Sequence, residues 1–220
     1  MIITLDGPAG AGKSSAARAL ATRLGWCYMD TGAMYRAVAL IALDRLVPLD
    51  DATRIAMLAE SLAIAFRDGR VFVGDRDVST EIRTARVTAA TRPVADAPPV
   101  REVMKQMQRR IAAGIDVVTE GRDQGSEVFP DAEVKVFLTA SPVERALRRH
   151  REETARGVPL SLDDVLDAQN RRDEGDRMRP VGAMQPAADA VLVETDGLTQ
   201  EEVVDRLVRL IEARRRPRHA

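Results

Sequence analysis

Ile2-Ile3-Thr4-Leu5-Asp6-Gly7-Pro8-Ala9-Gly10-Ala11-Gly12-Lys13-Ser14-Ser15 opens the chain, and this stretch sets its architecture. Four residues, 2–5, form a short apolar run that reads as a buried strand. Asp6-Gly7-Pro8 ends the run in a loop. From Lys13 to Leu24, Ala16, Ala17, Leu20 and Leu24 recur at helical spacing, and Gly25 closes the helix. Between strand and helix, residues 7–14 match G-x-x-x-x-G-K-[ST], the phosphate-binding P-loop pattern. Each residue type has a physical reason. Glycines let successive N–H groups approach phosphate oxygens without a Cβ in the way. The helix that follows turns its positive end toward the same anions. Lys13 brings a point charge to the β- and γ-phosphates, and the Ser14 hydroxyl is suited to ligate Mg²⁺.

Outward from the loop, residues 26–29 read as a second strand, then Asp30-Thr31-Gly32 leads into a helical pattern through Leu43. β–loop–α–β–α is the opening of an α/β protein with a parallel sheet. Residues 62–66 and 71–73 are apolar runs on either side of Arg67-Asp68-Gly69-Arg70, a hairpin signal that predicts a small antiparallel insert. Residues 91–100 carry Pro93, Pro98 and Pro99 and read as a linker before a helix over 101–113. Strands are expected at 116–120, 134–139 and 190–194. Helices are expected at 142–156, 162–172 and 199–215. Four or five parallel strands with helices between them give a three-layer α/β/α core.

The composition fits that class. The chain has 220 residues, 45% hydrophobic and 30% charged, with a net charge of −1. One cysteine, Cys27, excludes a disulfide framework and a multi-cysteine metal site. The balanced charge gives no ground for a nucleic-acid or anionic-membrane partner. The longest apolar run, residues 37–43, is far short of the about 20 residues that span a bilayer, and Met1-Ile-Ile-Thr-Leu lacks the basic start of a signal peptide. A cytoplasmic protein is expected. The basic tail Arg214-Arg215-Arg216-Pro217-Arg218 reads as a solvated terminus.

A nucleoside triphosphate needs an acceptor, and ligands of open parallel sheets gather at the carboxyl ends of strands. Arg36 and Arg122 each follow a predicted strand, and Arg101 opens a predicted helix. Their forked guanidinium groups suit a phosphate monoester. Arginines, among them those at 145, 148, 149, 151, 172, 177 and 179, crowd residues 145–179. They read either as a surface laced with ion pairs or as a lid that closes positive charge over the triphosphate.

Several stretches together resemble bacterial cytidylate kinases. They are Asp6 through Ser14, Met29-Asp30-Thr31-Gly32-Ala33-Met34-Tyr35-Arg36, and Val78-Ser79-Thr80-Glu81-Ile82-Arg83. Val100-Arg101, Gly121-Arg122-Asp123, Val128-Phe129-Pro130-Asp131-Ala132 and Asp176-Arg177-Met178-Arg179 extend the match over nearly the whole length. The resemblance implies transfer of a phosphoryl group from ATP, with Mg²⁺, to CMP or dCMP by a monomeric enzyme.

It also implies roles. Gly7, Pro8, Ala9, Gly10, Ala11, Gly12, Lys13, Ser14 and Ser15 would hold ATP, with Ser14 toward Mg²⁺. Lys13, Arg122, Arg172 and Arg179 would act on the transferring group. Thr31 and Asp176 would meet the cytosine edge, Asp123 the sugar, and Tyr35 would wall the nucleotide site. Arg36, Arg101, Arg122 and Arg179 would surround the acceptor phosphate. By the same resemblance, residues 1–36, 110–145 and 181–220 form the core, 37–109 an enlarged monophosphate-binding insert, and 146–180 a helical lid. Gln124-Gly125-Ser126-Glu127 and Gly175 depart from the family pattern, Gly175 where an arginine is often found.

Overall fold

The computed structural model describes residues 1–67, 69–155 and 157–215. Its chain divides into two compact units, one built from Met1–Cys27 with Val117–Ala220, the other from Tyr28–Asp116.

The first unit is organised on a parallel sheet. Strand β1 (Ile2–Asp6) pairs with the later strands β6 (Val117–Glu120) and β7 (Val134–Thr139), and β7 pairs with β8 (Val191–Glu194), all parallel. With β2 (Cys27–Asp30), at which the division falls, the order is β2-β6-β1-β7-β8. Ile3 and Leu5 of β1 and Val117 and Val118 of β6 are wholly buried, as expected for inner strands covered on both faces. Helix α1 (Lys13–Leu24) packs on β6, with Ala16, Ala17 and Leu20 inward. It stops at Gly25, which adopts φ +68° and returns its N–H to the last turn. Helices α6 (Pro142–Ala155) and α7 (Leu162–Arg177) pack on each other, and α8 (Gln200–Arg215) lies on α1.

The second unit is built around α2 (Thr31–Asp44), where Ala33, Met34, Ala37, Val38, Ala39, Leu40 and Ile41 are all buried. Helices α3 (Ala52–Ser61), α4 (Ala85–Asp96) and α5 (Pro98–Ala112) pack with it. The expected hairpin forms: β3 (Ile64–Arg67) and β4 (Arg70–Val73) pair antiparallel, and β5 (Arg76–Asp77) adds a third short strand. Asp68 of its turn signal, Arg156 at the end of the expected 142–156 helix and Arg216, Pro217 and Arg218 of the basic tail lie outside the described residues.

Three expectations are corrected. Residues 91–100 are not a linker. Pro93 sits inside α4, and Pro98 and Pro99 occupy the first turn of α5, where a missing N–H costs nothing. Helix α3 has no counterpart in the sequence reading; Asp51 caps it, accepting from the Arg54 N–H at 3.0 Å. Helix α7 runs five residues past the expected Arg172, so Asp173 and Asp176 fall on one helical face.

Candidate active site

In the first unit the loop of residues 7–14 joins β1 to α1. Gly7 has φ +138°, and a Cβ there would stand 2.0 Å from the Leu138 carbonyl oxygen, so only glycine fits. Gly12 caps α1 at φ +85° and offers no side-chain acceptor to the first N–H groups of the helix. N–H groups at a helix start are what an anion uses.

Lys13 is buried, and its Nζ donates to the Pro8 carbonyl at 2.7 Å. Burial, reinforced by the charges of Arg122 and Arg172, brings the Lys13 ammonium down to about 7, against the opposing pull of Glu120 and Asp6. Ser14 Oγ donates to Glu120 Oε1 at 2.9 Å, at the end of β6. Ser15 is exposed in the first turn of α1, its carbonyl accepting from Gln200 Nε2 at 3.4 Å. Ala11 is buried, and its carbonyl accepts from Thr195 Oγ1 at 3.3 Å.

Gly121-Arg122-Asp123 follows β6 directly. Arg122 Nε donates to Asp176 Oδ2 at 2.8 Å, and its Nη1 to the Gly121 carbonyl at 3.0 Å. Arg179 reaches Asp176 Oδ1 at 2.5 Å. Burial opposes the Asp176 charge, but Arg122 and Arg179 outweigh it and hold the carboxyl below its usual value, with help from Arg172. Lys13, Arg122, Asp123, Arg172, Asp176 and Arg179 are thus joined by these charges and bonds, with Asp123 acting on the neighbouring Asp6. Asp176, expected to face a cytosine, has both carboxylate oxygens engaged by arginines.

Asp6 was not singled out from sequence. Its Oδ1 accepts from the Gln124 N–H at 2.8 Å and its Oδ2 from the Gly125 N–H at 2.7 Å. Burial pushes its carboxyl up to about 7 despite these two bonds. The turn they hold, Gln124–Val128, is a wide π-type turn right after Asp123. Gln124 Oε1 accepts from Thr119 Oγ1 at 2.8 Å, and a Cβ on Gly125 would press to 2.8 Å from Thr4 Oγ1. Within the departure at residues 124–127, Gln124 has a physical account, for it sits buried against Thr119 of β6 and Asp6 of β1, while Gly125 packs on Thr4 of β1 and Lys135 of β7. Glu120 and Asp173 also take part in the site, beyond the residues expected from the sequence. Glu120 had the signal of ending a strand, whereas Asp173 stood among many helical acids.

In the second unit, Thr31 and Tyr35 are buried one turn apart on α2, and Arg36 follows, half-buried. Asp30 caps the helix, accepting from the Ala33 N–H at 2.8 Å, and its other oxygen lies 3.7 Å from Arg83. The Arg101 guanidinium stands over the Tyr35 ring at 5.6 Å and donates to the Ala95 carbonyl at 3.0 Å. These four expected residues therefore belong to one compact unit.

Among the described residues no group of three or more His, Cys, Asp or Glu could hold a metal ion, and no helix is long and apolar enough to cross a membrane.

The cytidylate kinase family model matches residues 3–213. A cytidylate kinase of Rhodopirellula baltica is 51% identical over 96% of this chain and 92% of its own length. One from Carboxydothermus hydrogenoformans is 45% identical over 96% and 97%. In fold, a solved Thermus thermophilus protein aligns over 98% of each chain, with a TM-score of 0.53 and 19% identity. With nearly the whole length matched, the chain belongs to the cytidylate kinase family.

Proposed function

We propose that this chain transfers the γ-phosphoryl group of ATP to the phosphate of CMP or dCMP, giving ADP and CDP or dCDP. An oxygen of the acceptor phosphate forms a bond to the γ-phosphorus, and the bond from that phosphorus to the β–γ bridging oxygen breaks. The acceptor oxygen is already anionic, so no general base is required. The observation that carries the reading is the arginine pair Arg122 and Arg179, held on Asp176 beside a P-loop lysine. A protein that only binds a nucleotide has no need of it.

The loop of residues 7–14 and Ser15 take the triphosphate, with Lys13 drawing charge off the transferring group. Arg172 adds positive charge near Lys13 and, with Arg122 and Arg179, stabilises the charge spread over that group. Thr31, Tyr35, Arg36 and Arg101 are assigned to the monophosphate, as are Arg122, Asp123, Asp176 and Arg179. Asp176 orients Arg122 and Arg179 by the bonds already described, which adds to its expected role toward the base.

The oxygen donors fit Mg²⁺. Ser14 Oγ lies beside the Glu120 carboxylate, oxygen groups of the kind that suit a cation taking most of its ligands from phosphates and water. When bound with ATP, the ion neutralises phosphate charge.

The test is ADP formation from Mg·ATP and CMP by the wild type and by Lys13→Ala. Loss of the charge should lower the rate by about 10²-fold or more with the fold intact. A near-normal rate in that variant contradicts the reading.

A further inference from the structure

Arg145 stood in the sequence among the arginines that read as a surface network or a lid. In the structure it is 3% exposed, and its partner Asp173 is 2% exposed. Arg145 belongs to the first turn of α6 and Asp173 to α7, and Nη1 lies 2.5 Å from Asp173 Oδ2. The same Nη1 donates to the Ala9 carbonyl at 2.8 Å, and Nε donates to the Ala140 carbonyl at 3.1 Å. Asp173 Oδ1 accepts from the Ala9 N–H at 3.2 Å. One ion pair therefore holds both backbone polar groups of Ala9, in the P-loop. The next residue, Gly10, has φ +79°, and a Cβ there would come within 3.0 Å of Arg145 Cβ, so the loop rests on the first turn of α6. Gln169 Nε2 donates to the Pro142 carbonyl at 3.0 Å and ties α7 to that turn.

We propose that the Arg145–Asp173 pair is a positioning element for the donor nucleotide, fixing the P-loop at Ala9 so that its N–H groups stay aimed at the triphosphate. Arg145 Nε and Nη1 and both Asp173 oxygens are engaged by the Ala140 carbonyl, by Ala9 and by each other. A buried pair adds little net stability compared with apolar residues of similar size, whereas removing one partner strands a charge. What apolar residues would not supply is the two-sided hold on Ala9. A loop displaced by a fraction of an ångström loses alignment that electrostatic catalysis depends on. The inference rests on the reading of residues 7–14 as the ATP site.

The full-length protein is compared with Arg145→Met, Asp173→Ala and the double variant Arg145→Met/Asp173→Leu. Thermal midpoint, the KM values for ATP and for CMP at a saturating co-substrate, and Mg·ATP affinity by calorimetry are measured. Both single variants should melt lower, and the double variant should recover most of that loss. Its KM and Kd for ATP should nonetheless stay raised by about tenfold, with the KM for CMP within about twofold of wild type. Recovery of both stability and ATP affinity would overturn the proposal, as would an equal rise in the two KM values. Should the double variant not fold, Asp173→Asn decides. It keeps an acceptor for the Ala9 N–H but loses the charge that holds Arg145. A KM for ATP raised about threefold or more, with that for CMP unmoved, supports the proposal, and an unchanged KM for ATP overturns it. Lys13→Ala is run alongside. If wild type and Lys13→Ala bind Mg·ATP alike, the ATP-site reading has failed. If only wild type binds well and the pair variants match it, the positioning proposal alone has failed.

Discussion

Arg122 shows how much one side chain carries. It leaves the end of β6, is held by Asp176 through Nε, and keeps one nitrogen on its own turn through the Gly121 carbonyl. Arg122→Ala should raise the KM for CMP at least about tenfold, from the loss of charge-assisted bonds, with the KM for ATP changing far less. A shift confined to ATP would place the acceptor elsewhere. The Gly-Arg-Asp run made Arg122 legible in the sequence, because a charged turn after a predicted strand points to the ligand edge. Asp6 was not legible. Its work depends on Gln124 and Gly125, more than a hundred residues away, being brought above the end of β1. No local pattern encodes that meeting. Lys13 and Ser14 were legible because the loop's chemistry is local.

At the scale of elements, periodicity succeeded where burial is one-sided and turns are sharp. β7 alternates buried Val134, Val136 and Leu138 with less buried neighbours, and the hairpin has Gly69 at φ +73° in its turn. Proline punctuation misled. Pro98 and Pro99 start α5 instead of separating it from its predecessor, and α4 tolerates Pro93 because tertiary packing outweighs the missing N–H. Helix α7 was read too short because Arg172 onward is charged and the buried residues there are carboxylates paired with arginines. Gly175 lies within this extension. Glycine inside a helix costs roughly 0.5–1 kcal/mol relative to alanine. Gly175→Ala should therefore raise the unfolding free energy by about that amount, seen as a higher denaturant midpoint. A lower midpoint would show that the backbone at 175 needs glycine for another reason. Gly175 stands where the resemblance often has an arginine, and Arg172 and Arg177 lie on the same helix.

For the whole molecule, the chain builds part of its parallel sheet, forms the second unit over Tyr28–Asp116, and returns at Val117 to complete the first. The division differs from the expected insert of residues 37–109, for it begins within β2 and takes in Thr31, Tyr35 and Arg36. Stability of the whole chain should carry the mark of its buried carboxyls. Asp176 is held below its usual value, so it contributes stability above about 4 that is lost as pH falls through its lower folded value. Asp6 is raised to about 7, so its contribution is present at about pH 4 and below and is lost as pH rises toward 7. Asp176→Asn should therefore be less stable than wild type at pH 6, and the gap should narrow toward pH 3 in urea unfolding. A gap independent of pH would contradict the ionic account of that site.

The central claim concerns the acceptor. Initial rates of ADP formation with Mg·ATP and equal concentrations of CMP, dCMP, UMP, AMP and GMP test it most directly. Strong rates with CMP and dCMP, and product nucleoside diphosphate equal to the ADP formed, are the expected result. A uniform absence of turnover across the panel, or a purine monophosphate as the best acceptor, would contradict it.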